Sequence, residues 1–175
     1  EIFTGSAVVA AKLMKDIRGF SARTPITLEG GQQAVRTLMQ YGVSADVVID
    51  RLKQLGDISG GSLESLQRLS LAFGQISANG KLQGQELRQL IEAGFNPLQV
   101  MSEKTGESMS ELRERMADGA ISINDVEDAL KAATGEGGRF NKMLEKVGSE
   151  TNFGAVQRLG GEMRNVSTLE SDSSV

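Results

Sequence analysis

Leu52-Lys53-Gln54-Leu55-Gly56-Asp57-Ile58-Ser59, followed by Ser62-Leu63-Glu64 and then Leu69-Ser70-Leu71-Ala72-Phe73-Gly74-Gln75, is the stretch whose reading decides the fold. Leu52 and Leu55 continue from Val48 at i, i+4, i+7, one face of a helix that Ser44 can cap. Ser62 opens a second helix to about Asn79, in which Leu63, Leu66, Leu69, Phe73 and Ile76 recur every three or four positions and share a face. A glycine corner joins the two. The stretch predicts two capped amphipathic helices, and nothing in it is built for chemistry.

The same grammar extends in both directions. Toward the N-terminus, a helix over Ala7 to Gly19 carries Val8, Ala11, Leu13, Met14 and Ile17 on or near one face. Thr24-Pro25 then forces extended backbone, because the residue before proline avoids the α region. A helix from Leu28 to Tyr41 buries Val35, Leu38 and Met39. Toward the C-terminus, Leu87, Leu90 and Ile91 mark a short helix closed by Gly94. Asn96-Pro97 is an N-cap with proline at the first helical position, leading Leu98, Val100 and Met101. Ser108 with Glu111, and Ser122 with Asp125, have capping-box spacing and open helices to Asp118 and Thr134. A last helix over residues 138–148 would carry Phe140, Met143, Leu144 and Val147. The chain has 21 Gly and 2 Pro, so glycine, which accepts the left-handed conformation, is the expected helix stop. Gly42, Gly56, Gly80, Gly94, Gly119 and Gly135 each follow a helical segment, and most of Gly56, Gly80, Gly94 and Gly119 are expected at positive φ.

Composition narrows the function classes. Aromatic residues are 4% of the chain, so the core must be aliphatic and suits helix-on-helix packing better than a sheet. There is no Cys, which removes disulfides and thiolate metal sites, and no His, the commonest general base and metal ligand. Net charge is −4, with 8 Lys/Arg against 7 Asp/Glu in residues 1–80 and 11 against 16 in residues 81–175. Neither half is the basic surface that duplex binding draws its affinity from. The apolar run from Ala7 to Ala11 falls far short of the ~20 residues that span a bilayer. The opening Glu1-Ile2-Phe3 lacks a signal-peptide pattern and, having no initiator Met, predicts an excised or processed piece.

Several motifs invite sharper readings and lose to plainer ones. Lys81-Leu82-Gln83-Gly84 and Gly135-Glu136-Gly137-Gly138-Arg139 lack the phosphate-loop pattern and any preceding strand, so both predict connectors. Asp46, Asp50 and Asp57 lack the calcium-loop rhythm and predict a solvated face. Glu103, Glu107, Glu111 and Glu114 predict caps and surface charge rather than a catalytic pair. Met101, Met109 and Met116 predict core filling before an adaptable binding surface. A DNA-reading helix-turn-helix over Ser108 to Thr134 would present Asp125, Glu127 and Asp128 to phosphates and is rejected. Glu86-Leu87-Arg88 ending at Gly94 echoes Glu111-Leu112-Arg113 ending at Gly119, a likeness that common helix grammar explains without a solenoid.

A series of phrases carries the resemblance to a known family. Phe20 with Thr24-Pro25-Ile26 and Leu28-Glu29 comes first, then Leu38 with Tyr41-Gly42-Val43, then Leu52, Leu55-Gly56-Asp57-Ile58 and Leu63-Glu64. Next stand Phe73-Gly74-Gln75, Gly80-Lys81-Leu82, Glu86-Leu87, Gln89-Leu90 and Glu92-Ala93-Gly94. Gly119, Ile121-Ser122, Asp125-Val126, Ala129-Leu130, Thr134-Gly135 and Gly137-Gly138-Arg139-Phe140 complete the run. Their order over residues 13–159 resembles the compact α-helical domain of the tape measure proteins of tailed bacteriophages. Ser149, Thr151, Gly154 and Leu159 fit the family's closing phrase, whereas Gly160-Gly161 and the Ser-rich end depart from the long helix expected next.

The resemblance implies a structural protein of the tail tube that sets tube length through an extended rod and leaves through the tail at infection. Sustained heptads are missing here, so this segment is the compact part and not the ruler. Implied partners are tail tube, tail tip and assembly chaperone proteins, and the implied location is the virion tail or, before assembly, the host cytoplasm. The residues alone leave open a helical adaptor module and, more weakly, a segment of a tail-associated peptidoglycan hydrolase. The expected fold is all-α, a compact bundle of about seven to nine short helices with glycine-capped turns. Residues 1–159 are expected to form one domain and residues 160–175 a polar, flexible end. No catalytic residue, cofactor, tight metal site, strong nucleic-acid binding or membrane span is expected.

Overall fold

Leu66, Leu69, Phe73 and Ile76 are buried together at 0–2% exposure, and the helix that carries them is central to the molecule. The computed structural model describes residues 6–150. Among the described residues there are nine helices and no strand. They are α1 Ala7–Arg23, α2 Leu28–Gln40, α3 Val48–Ser59, α4 Leu63–Asn79, α5 Gly84–Glu92, α6 Pro97–Thr105, α7 Met109–Ala117, α8 Ile123–Thr134 and α9 Met143–Glu150. α4 packs on α2, α3 and α5; α3 in turn touches α1, α2, α8 and α9. α6 gathers α7 and α8 into a second group, tied to the first where α8 meets α3. One aliphatic core runs through both groups, from Leu13 to Leu144.

Local signals set most of the boundaries. The side chains of Ser6, Thr27, Ser62, Asn96, Ser108 and Ser122 each accept a backbone N–H in the first turn of the helix that follows. Only the Ser122–Asp125 pair forms the full reciprocal box; Ser108 accepts from Glu111 without a returned bond. Gly42, Gly80, Gly94 and Gly119 have positive φ after helix ends, as expected.

Several expectations need correction. α1 runs past Gly19 to Arg23 and stops at Thr24-Pro25, so the proline and not the glycine ends it. Its buried face is Leu13, Ile17 and Phe20, while Val8 and Ala11 lie in solvent. Ser44 does not cap α3 with its side chain; its carbonyl accepts the N–H groups of Val47 and Val48. Gly56 lies inside α3, which continues to a left-handed Gly60. A Cβ at Gly56 would stand 2.8 Å from Leu144 Cδ1 and 3.1 Å from Phe20 Cζ, so close packing, not capping, requires glycine there. Gly135 has extended backbone, φ −82° and ψ −174°. The final helix begins at Met143, because residues 136–142 fold back over the end of α8. At the rim of the two stripes Leu63 and Ile91 are 42% and 45% exposed, since each stripe drifts off the core at its end. The residues of the expected C-terminal segment, 160–175, lie outside the described residues.

Candidate functional site

Two connectors meet edge to edge. The Leu82 N–H donates to the Ile121 carbonyl at 2.9 Å and the Ile123 N–H to the Gly80 carbonyl at 2.9 Å. These bonds form an antiparallel bridge centred on Lys81 and Ser122, with Leu82 and Ile121 fully buried behind it. Aligned on their left-handed glycines and on the N-caps Gln83 and Ser122, the α4–α5 and α7–α8 corners correspond position by position. Gly80 matches Gly119, Leu82 matches Ile121, Glu86 matches Asp125 and Leu87 matches Val126. The echo between residues 86–94 and 111–119 is a different register, because Glu86 opens the second helix of one unit and Glu111 the first helix of the other.

The α7–α8 corner is saturated with its own charges. Asp125 accepts the Ser122 N–H at 2.9 Å. The Arg115 guanidinium reaches Glu107 at 2.6 Å, Asp125 at 3.7 Å and the Ala120 carbonyl at 3.4 Å. The matching carboxylate of the α4–α5 corner, Glu86, is 5% exposed and has an oxygen without a hydrogen-bond partner. Gln75 Oε1 is likewise buried without one.

A second junction joins α3 to α9. Asp57 accepts the Leu144 N–H at 3.0 Å from 87 residues away, capping α9 in trans just after Lys142, whose φ is 53°. The adjoining cleft, about 610 Å³, is lined by Phe20, Arg23, Lys53, Asp57, Lys142 and Glu145 among others. Burial pushes the Asp57 carboxyl above its ordinary 3.8; the Leu144 bond opposes this and nearby Glu145 adds to it. The folded state therefore binds this proton more readily than the unfolded chain. The Asp57 contribution to stability is fully present below pH 3.8 and lost as pH rises through the folded-state value. Asp57→Asn keeps an acceptor for Leu144 and has no charge to bury. We expect it to be at least as stable as the parent at neutral pH, with the difference shrinking on acidification. Urea melts across that range check this, and an unchanged difference between the two proteins at every pH would refute the assignment.

A further cleft, about 720 Å³, lies between α6, the end of α8 and residues 136–140, with Ile91, Val100 and Phe140 on its walls. The glycine-rich segment beside it turns three of its donors inward. Gly135, Gly138 and Phe140 give their N–H groups to the carbonyls of Lys131, Gly135 and Ala133. A Cβ on Gly138 would fall 2.3 Å from the Ala132 carbonyl oxygen. Three of the donors a phosphate cradle would use are thus taken by carbonyls of the chain itself. Instead the segment sets Phe140 edge-on to Phe95, centroids 6.5 Å apart, beneath Arg139.

The other residues singled out from the sequence are not brought together. Asp46, in the turn before α3, and Asp50 are exposed beside Lys12, Lys15 and Lys53, apart from the Asp57 cap. Glu103, Glu111 and Glu114 are exposed, and Glu107 is held by Arg115. Met101 is buried and Met109 and Met116 pack against the core, which is the core-filling role. α8 is buried against α3 and α6, with Glu127 paired to Arg51, so it is not free to enter a groove of DNA. Among the described residues no group of three or more Asp or Glu is placed to hold a metal, and no helix is long and apolar enough to cross a membrane.

Polar groups spent on caps, a loop bridge and ion pairs, around one aliphatic core, define a helical structural domain. The family model described as tape measure protein matches residues 1–166, and the chain belongs to that family. No curated protein and no solved structure matches it.

Proposed function

We propose that this chain is the compact helical part of a phage or prophage tail tape measure protein. It works through protein contacts in tail assembly, tail-length determination and genome ejection, and it has no catalytic residue of its own. The observation that carries the reading is the family match across residues 1–166. Among the described residues, half-buried carboxylates are engaged in holding the fold, Asp57 capping α9 and Glu107 and Asp125 held by Arg115, as a domain working through protein contacts would use them. The partners on this reading are tail tube, tail tip and assembly chaperone proteins. The protein is then found in the virion tail and, before assembly, in the host cytoplasm.

In-frame deletion of the segment from the parent gene of a phage tests the proposal. We expect a fall in infectious titre with defective tails or failed DNA delivery, while host metabolism is untouched. Normal tails at parental titre would overturn it. Hydrolysis of purified peptidoglycan by the isolated chain would overturn the non-catalytic part alone.

A further inference from the structure

Gly94 stands where two clefts meet. One, of about 720 Å³, lies between α6, the end of α8 and residues 136–140. Its walls are largely apolar: Phe95 and Ala133 are buried, Val100 and Phe140 partly so, and Ile91 at its mouth is 45% exposed. Glu103 and Glu136 stand on the rim with Lys104 and Arg139, and Arg139 rests on the Phe140 ring. The other cleft, about 330 Å³, runs from Gly94 past Ala93 to Ser62 and Ser65 at the start of α4. An apolar groove with a charged rim suits an amphipathic segment laid along it. Ile91 would gain by being covered, because its apolar surface is still in water.

The course of the chain leads to this groove. Leu144 meets Gly56 and Val147 meets Gly61, so α9 runs beside α3 toward the α3–α4 corner. Ser62 follows directly, and the Ser65 hydroxyl donates to the Ala93 carbonyl at 2.8 Å. The end of α9 is thus brought beside the smaller cleft, which opens at Gly94 into the larger. Thr151-Asn152-Phe153-Gly154-Ala155-Val156-Gln157-Arg158-Leu159 come next in the sequence and lie outside the described residues. Nine residues reach up to about 30 Å when extended, enough to cross two clefts of this size. Phe153, Val156 and Leu159 recur every third position, a spacing that gathers them on one side of a short helix. Arg158 is the only charge of the stretch, and its sign suits Glu103 and Glu136.

We propose that residues 151–159 fold back past the α3–α4 corner and dock in the groove between α6 and residues 136–140, seating Phe153, Val156 and Leu159 on Ile91, Val100 and Phe140. The segment continues the core beyond α9 and covers the apolar wall. Docking is within one chain, because a short tether at the end of α9 holds the segment at a local concentration that a second copy does not match.

The chain has no Trp and no Cys, so introduced ones report alone. In the full chain, the indole of Phe153→Trp should emit to the blue of its value in urea and be shielded from acrylamide. Burying one large apolar side chain favours the docked form by roughly 10–100-fold, so docked chains should dominate the emission. Adding Ile91→Asp should keep the far-UV circular dichroism but shift docking at least ~10-fold toward the free form, leaving the indole open to acrylamide as in urea. Leu71→Asp, at a position 38% exposed on α4 that lines neither cleft, should leave the indole shielded. A second measurement stands if Ile91→Asp does not fold. Gln99→Cys with Val156→Cys should be joined within one chain by a short bismaleimide, and Arg36→Cys on α2 with Val156→Cys should not. An indole as quenchable in the Phe153→Trp chain as in urea would overturn the proposal, as would shielding that survives Ile91→Asp or equal cross-linking of the two Cys pairs. Shielding lost on dilution would assign the groove to a second copy and overturn it too.

Discussion

Phe73→Ala is expected to cost ~3–5 kcal/mol of stability, the usual range for truncating a buried Phe. Its ring is 2% exposed in the middle of α4, the helix on which α2, α3 and α5 all pack. Leu66, Leu69, Ala72 and Ile76 around it are fully buried, so no neighbour has free volume with which to close the hole. The Arg51 guanidinium lies 5.9 Å from the ring centroid, so the truncation also removes the face that this buried cation rests on. Leu71→Ala, on the 38% exposed side of the same helix, should cost under ~1 kcal/mol and serves as the control. Urea denaturation gives both values. A Phe73→Ala loss as small as that control would show that α4 is not the centre of the core.

The fold was legible wherever a signal is local. Ser62, Asn96, Ser108 and Ser122 announce their helices through a side chain that bonds the next turn, and the structure uses all four. Periodicity located the core face of α4 for the same reason, since three- and four-residue spacing is a property of one helix. Gly56 marks where this reasoning stops. In sequence it looks like a helix stop; in space it is the point where Phe20 and Leu144 come within 3.1 Å of a would-be Cβ. Residues 36 positions before and 88 after it make that demand, and no window on the sequence contains both. Gly138 is similar, because its neighbours are carbonyls of a helix that the chain has already left.

Asp57 and the paired corners were hidden for a related reason. As one of three aspartates on a polar stretch, Asp57 reads as solvated charge; its acceptor role appears only once α9 has returned to α3. The correspondence of Gly80-Lys81-Leu82 with Gly119-Ala120-Ile121 rests on one shared glycine and similar side chains, too little to detect without the helix ends and left-handed φ values that align them. Weak capping-box spacing at Ser122 and Asp125 was the one clue that the second corner was built around a carboxylate.

Glu127→Ala is expected to cost ~3 kcal/mol, the low end for breaking a buried ion pair. Arg51 on α3 has a side chain only 6% exposed, and its Nη2 stands 3.4 Å from Glu127 Oε1 on α8. Gln54 takes Nη1 at 3.1 Å, but Nε is buried without a partner, so the guanidinium is already short of acceptors. Removing Glu127 leaves that charge unpaired in the core. Glu127 itself is 27% exposed, which lets some water reach the site and keeps the loss from the top of the range. The effect should also be regional, because α8 meets α3 here and carries α6 with it. Hydrogen exchange should therefore accelerate in α6–α8 before α1–α2. The double variant Arg51→Met with Glu127→Leu should recover most of the loss, since apolar replacements avoid burying either charge. If the double variant is as unstable as Glu127→Ala, shape rather than charge holds α8 on α3; a single-variant loss under ~1 kcal/mol would show the pair to be no stronger than a surface one.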